Sequence, residues 1–354
     1  MESSKELLEF YKGKKVLVTG STGFKGSWLS AILFMAGADV VGYALSPVTH
    51  QSLFDELCLG DKIKQYYEDI RDYDTMKRVF DEEKPEIVLH LAAQPIVRES
   101  YVAPRYTFDT NVMGTVNVLE CVRLTDSVSS FLNVTTDKVY ENKEQEKGYV
   151  ETDYLDGYDP YSNSKSCSEL VTHSYKKSFF ADSRCRISTA RAGNVIGGGD
   201  YAKDRIVPDC IRAAVKNEVV NIRNPYSIRP YQHVLEPLAI YLMIAKKQAE
   251  DSKYEGYYNV GPDESDCVTT GKLVDIFASK WGEGFSWNDQ SDGGPHEAGF
   301  LKLDCTKLKT TFGWQPKYNI DQAVEKTVDW QKKYTSLNDA FSITKKQIIE
   351  FFEV

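Results

Sequence analysis

The run Lys14-Lys15-Val16-Leu17-Val18-Thr19, followed by Gly20-Ser21-Thr22-Gly23-Phe24-Lys25-Gly26 and then by the apolar residues 27–36, constrains the fold more than any other part of the chain. An apolar run of strand length that breaks at glycines and resumes at helix length reads as buried strand, tight loop, helix. Glycines spaced G-x-x-G-x-x-G let the backbone turn sharply and approach a ligand closely. The first N–H groups of the helix, which lack partners within it, then point at an anion. Gly20, Gly23, Phe24, Lys25 and Gly26 are therefore expected to cradle the diphosphate of a dinucleotide, with Lys25 adding a cation.

Downstream, strand patterns at 39–44, 63–67, 87–91, 131–134 and 186–191 alternate with helical patterns at 73–83, 104–123, 160–180 and 238–250. Such alternation predicts an α/β fold, a parallel sheet wound on both faces. Ligands of open α/β sheets bind beyond the carboxyl ends of the strands. Asp69 and Ile70, Ala92, Ala93 and Gln94, and Thr136-Asp137-Lys138 are all expected on that edge. Asn111 lies in Thr110-Asn111-Val112-Met113-Gly114, where an Asn and a Gly are poor helix formers, which points to a local polar role, with a surface position nearly as common; Asn111 is taken as a candidate cofactor contact. The second strand ends in Leu45-Ser46-Pro47 without an acidic residue for the adenosine 2′-hydroxyl, so that position does not decide between NAD and NADP. There are no repeats or low-complexity linkers, and two interleaved units are expected: 1–194 together with about 232–262, and about 195–231 together with 263–354.

Tyr161 and Lys165 stand one turn apart in a helix that Pro160 suits as a first-turn residue. A phenol that ionises near pH ~10 is a poor base at neutrality, and an ammonium beside it favours the phenolate. Taken alone, such a pair is more often two surface residues.

At 354 residues and 42% apolar composition the chain can bury a large core, and its net charge of −9 argues against nucleic-acid binding. An anionic substrate must therefore meet local cations. Arg205, Arg223 and Arg229 are candidates for gripping a nucleotide diphosphate, with Asn194 at a strand end and His233 closing the same basic run. The seven cysteines and five histidines are scattered without disulfide or metal-ligand spacing, so no metal is expected. No apolar run suits a bilayer or a signal peptide, and a cytoplasmic protein is expected.

The glycine triplet, Thr136-Asp137-Lys138, Tyr161/Lys165, the stretch Arg191-Ala192-Gly193-Asn194-Val195-Ile196-Gly197-Gly198-Gly199-Asp200 and the later Phe312-Gly313-Trp314-Gln315-Pro316 resemble the extended short-chain dehydrogenase/reductases that modify nucleotide sugars. Thr22-Gly23-Phe24-Lys25-Gly26-Ser27-Trp28-Leu29, Ala92-Ala93-Gln94-Pro95 and Arg223-Asn224-Pro225-Tyr226-Ser227-Ile228-Arg229-Pro230 narrow the resemblance to the CDP-glucose 4,6-dehydratases. It implies a Rossmann domain that binds NAD, a smaller mixed α/β domain that binds the nucleotide sugar CDP-glucose, and a homodimer or homotetramer. It also implies a lyase that eliminates water after transient oxidation at C4, an early step in making deoxysugars for O-antigen or other surface polysaccharide. On this resemblance Tyr161 takes the O4 proton, Lys165 assists it and holds the nicotinamide ribose, and Thr136 completes the hydroxyl set. Asp137 protonates the departing C6 hydroxyl. Lys138 stands where the dTDP-glucose dehydratases have a glutamate, so either Lys138 or another group removes the C5 proton. A 4-epimerase of the same fold and a catalytically silent NAD-binding regulator are the alternatives.

Overall fold

Seven parallel strands, β1 Lys15–Thr19, β2 Asp39–Ala44, β3 Lys64–Tyr67, β4 Ile87–His90, β5 Ser130–Thr136, β6 Arg186–Ala192 and β7 Tyr257–Val260, form one sheet in the order β7-β6-β5-β4-β1-β2-β3. The computed structural model describes residues 4–290 and 299–354. Every residue of β4 and β5 is buried, as a strand covered on both faces requires. The strand order reverses between β1 and β4, which opens a crevice beyond their carboxyl ends.

Each face of the sheet carries its own apolar layer. On one, Trp28, Leu29 and Ile32 of the helix Phe24–Met35 pack with Leu238, Tyr241 and Leu242 of the helix Leu235–Glu250. On the other, Val79 and Phe80 pack with Val118, Leu119 and Val122 beneath the helix Pro160–Phe179. A third cluster, with Val207, Ile211, Ile222, Leu273, Phe277 and Val324, gathers the helices Ile206–Lys216, Thr270–Trp281 and Ile320–Leu337. Two short strand pairs accompany it: Val219–Ile222 parallel to Ser286–Asp289, and Ile228–Pro230 antiparallel to Cys267–Thr269.

The structure departs from the sequence reading in several elements. The residues before β1, for which the sequence patterns give no element, form a helix, Ser4–Tyr11, whose Tyr11 hydroxyl donates to Leu242 O at 2.6 Å. The helical run 104–123 contains a π-helical turn at Asp109–Met113, an extra residue that swings Asn111 inward. The basic region after Gly199, for which the sequence patterns give no helix, holds the helix Ile206–Lys216, with Arg205 just before it. No helix among the described residues is long and apolar enough to cross a membrane.

Candidate active site

The loop after β1 closes only because its glycines are glycines. Gly20 has φ of +73°, and a Cβ on Gly26 would lie 2.0 Å from Gly20 O. Any side chain at Gly26 would push the helix off the loop. Gly23 caps the helix Phe24–Met35 without a side-chain hydrogen bond, so the leading N–H groups at Phe24, Lys25 and Gly26 stay available to an anion. This cradle fits a dinucleotide diphosphate. Lys25 lies one residue into the helix, its ammonium 5.8 Å over the Tyr241 ring. Burial, then repulsion from Lys165 and Arg205, pushes its amine down to about 7, while Asp137 pulls the other way.

Thr136 ends β5 and Asp137–Val139 turn immediately after it. Thr136 Oγ1 donates to Asp137 Oδ1 at 3.0 Å, and Lys138 Nζ donates to the same oxygen at 3.2 Å and to Asn194 Oδ1 at 3.4 Å. Asp137 is fully buried, and its Oδ2 has no partner among the described residues. A buried carboxylate oxygen aimed at no protein donor is expected where a ligand supplies the partner.

Across the crevice the tyrosine helix begins at Pro160, where Asp159 caps it by accepting from Ser162 N at 3.0 Å. Tyr161 therefore sits in the first turn and Lys165 in the second. Lys165 Nζ donates to Val134 O at 3.1 Å, so the strand and not the phenol holds its ammonium here. Burial dominates both groups. It pushes the Tyr161 phenol up to about 12 despite its hydrogen bond with Thr136, and brings Lys165 down to about 8.

The remaining residues divide. Ala92 and Ala93 follow β4, and Ala92 N is the atom nearest a Cβ built on Gly20, at 2.8 Å. Ile70 is buried against Gly114, and the Asp69 carboxylate is engaged by Arg71 at 2.7 Å, which holds it below its usual range although burial opposes this. Gln94 and Asn111 spend their amides on protein. Asn111 accepts from Gln94 N at 2.8 Å and donates to Gln94 O and Ser164 Oγ, while Gln94 Nε2 donates to Thr107 at 2.8 Å. They tie the crossing after β4 to the tyrosine helix, so what they contribute to a cofactor is the position of that crossing.

Arg205 reaches Asp200 at 3.1 Å and lies within electrostatic range of both Tyr161 and Lys25; Arg223 pairs with Asp204 at 3.0 Å. Arg229 is buried, its Nη1 donating to Ile228 O at 2.9 Å. His233 is a correction. Its ring is fully buried edge-on to Trp28 and Tyr318, at centroid distances of 6.1 and 5.6 Å, and burial lowers it to about 3. It is a core residue, enclosed because its strand pairs Gln232–His233 with Val195–Ile196. Tyr241, which carried no signal inside an apolar helix, is fully buried, and its hydroxyl has no partner among the described residues.

The family model for GDP-mannose 4,6 dehydratase matches residues 17–327. The chain is 45% identical over 348 residues to a CDP-glucose 4,6-dehydratase of Salmonella typhimurium, covering 97% of each. It is 26% identical to dTDP-glucose 4,6-dehydratase 1 of Escherichia coli, covering 92% of this chain and 94% of that one. Among solved structures, the UDP-glucose 4-epimerase of Thermus thermophilus in complex with NAD superposes with a TM-score of 0.78 at 25% identity, covering 90% of this chain and 99% of that one. The dTDP-glucose 4,6-dehydratase of Bacillus anthracis shares the fold, with a TM-score of 0.75 at 19% identity over 94% of this chain and all of that one. With the glycine cradle, the strand order and a family match spanning most of its length, the chain belongs to the GDP-mannose 4,6 dehydratase family.

Proposed function

We propose that this chain is an NAD-dependent CDP-glucose 4,6-dehydratase, a hydro-lyase that converts CDP-glucose to CDP-4-dehydro-6-deoxyglucose and water. The observation that carries the reading is the buried Thr136-Asp137 pair at the end of β5, facing Tyr161 and Lys165 beside a glycine loop that fits a dinucleotide. The near full-length relative of that name supports the substrate.

Bound NAD supplies the temporary withdrawal of hydride from C4 of the glucose and its return at C6. The chain's own residues move the protons. Tyr161, ionised to the phenolate and steadied by the Thr136 hydroxyl turned from Asp137, accepts the O4 proton and becomes the neutral phenol. A phenol pushed up to about 12 needs a cation beside it to act near neutrality, and Lys165, one turn away, supplies it by giving up Val134 O. Asp137 gives its proton to the C6 oxygen as that C–O bond breaks and water leaves. Lys138, braced by Asp137 and Asn194, is assigned the C5 proton, which it accepts as a neutral amine and carries as an ammonium. Arg205 and Arg229 meet the nucleotide diphosphate, with Arg223 farther out. The assembly is a homodimer or homotetramer working in the cytoplasm, on the way to a deoxysugar of a surface polysaccharide.

Mass spectrometry of CDP-glucose incubated with the protein and NAD tests the reading. A product lighter by one water supports it. An unchanged mass with inverted C4 marks an epimerase instead, and NAD binding without any turnover marks a silent regulator.

A further inference from the structure

The tyrosine helix buries a second charge, Glu169, four residues beyond Lys165 and thus on the same face. Its carboxylate is saturated. Oε1 accepts from Thr135 Oγ1 at 2.5 Å, and Oε2 accepts from Thr189 Oγ1 at 2.8 Å and from Arg191 Nη2 at 3.0 Å. Arg191, buried in β6, donates its other terminal nitrogen to Tyr140 OH at 2.8 Å and to Glu151 O at 2.9 Å. Tyr140 OH in turn donates to Asn259 Oδ1 in β7 at 2.6 Å.

What these bonds join matters more than their number. Thr135 immediately precedes Thr136, and Tyr140 ends the turn that carries Asp137 and Lys138. Val134, whose carbonyl holds Lys165, is one residue earlier. One ion pair thus contacts every segment that contributes a group to the reaction: the strand, the turn and the helix. A pair built only to stabilise the fold would be replaceable by packed apolar side chains, since desolvating two charges offsets most of their attraction.

We propose that Glu169, with Arg191 behind it, is a positioning residue for the reaction: it fixes the tyrosine helix against β5 and β6 and serves as the counter-charge of Lys165. The proposal rests on the dehydratase reading for the role of Lys165. The groups facing Lys165 are Tyr161 and Glu169 on its own helix, Lys25 from the glycine-loop helix, His90 from β4 and Asp137 from the turn after β5. Lys25 repels the ammonium, and burial keeps His90 neutral by lowering it to about 3. Glu169 is the carboxylate one turn along the same helix, and it opposes the burial that draws Lys165 down.

The test uses E169Q and the double variant E169Q/R191M in the full chain. E169Q leaves a buried guanidinium unpaired and lowers the melting temperature, whereas the double variant removes both charges and recovers it. In both, kcat is expected to fall about tenfold with little change in KM. The alkaline limb of kcat should move down by about half a pH unit or more, because Lys165 loses its proton earlier. NAD affinity measured by calorimetry across pH 6 to 10 should show the same downward shift. A double variant that folds and keeps the wild-type alkaline limb in both profiles overturns the proposal and leaves Glu169 a structural residue. The calorimetric arm needs no turnover, so it still decides the matter if wild-type protein binds NAD but releases no water from CDP-glucose.

Discussion

Replacing Lys25 by methionine keeps most of the stem and removes the amine that burial and two neighbouring cations press down to about 7. An anion bound beside that amine favours its charged form, so binding draws in a proton and affinity falls as pH rises above the free value. NAD suits the measurement because its diphosphate keeps the same charge across the range. If the bound amine regains the ordinary lysine value, then starting from about 7 the loss in affinity between pH 6 and pH 9 is about 90-fold, or about 3 kcal/mol. Most of the fall lies above pH 7. Calorimetric titration of NAD into wild-type protein at unit steps of pH should trace this slope, and in K25M the slope should flatten while affinity at pH 6 drops. Lys165, drawn down to about 8, contributes the shallow dependence that remains. A wild-type affinity that is flat with pH, or a slope that survives intact in K25M, refutes the placement of Lys25 against the diphosphate.

Three further outcomes are expected. Tyr161→Phe should lower kcat by about 100-fold or more while NAD affinity changes little, since the phenol serves proton transfer and the glycine cradle is untouched; activity near that of wild type would remove the proposed base. Lys138→Ala should slow exchange of the C5 proton with deuterated water more than it slows oxidation at C4, and unchanged exchange assigns the C5 proton to another group. Glu236, buried and accepting from Lys317 N and Tyr318 N, is raised to about 7, mainly by burial. Its folded state holds a proton that the unfolded state releases near 4.5, so its contribution is complete below that pH and is lost as pH rises to about 7. E236Q mimics the protonated form and should match wild type at pH 4.5 but exceed it by about 3 kcal/mol at pH 8 in urea titrations; equal stability at both pH values would contradict the shift.

The residues that were legible in the sequence are those whose function depends on local backbone. Gly20 and Gly26 announce themselves because a left-handed φ and a 2.0 Å approach to Gly20 O admit nothing larger. Tyr161 and Lys165 are placed by Pro160, a first-turn proline readable in the sequence, and by the Asp159 cap that the structure adds. The parallel sheet follows from the alternation of strand and helix patterns. The π-helical turn that aims Asn111 at Gln94 leaves no mark on the apolar periodicity, because one extra residue in a half-polar helix costs no visible hydrophobic position.

Lys25 and His233 show where local reading stops. Both are polar residues in segments that the sequence presents as open, cationic loop, and both were expected to meet ligands. His233 is sealed between Trp28 and Tyr318 because β-pairing with Val195–Ile196 draws its segment into the core. Lys25 keeps its place beside the glycine cradle, but its amine lies over the ring of Tyr241, far along the chain, and burial there depresses it. Neither fate is written within ten residues of the side chain concerned. The same holds for Glu169 and Arg191, twenty-two positions apart, whose meeting depends on the tyrosine helix lying across β6. Charges buried by partners far along the chain are therefore where the electrostatics of this site are decided, and the Lys25 and Glu169 variants test that at two independent points: one sets the charge that meets the diphosphate, the other the charge that meets the phenol.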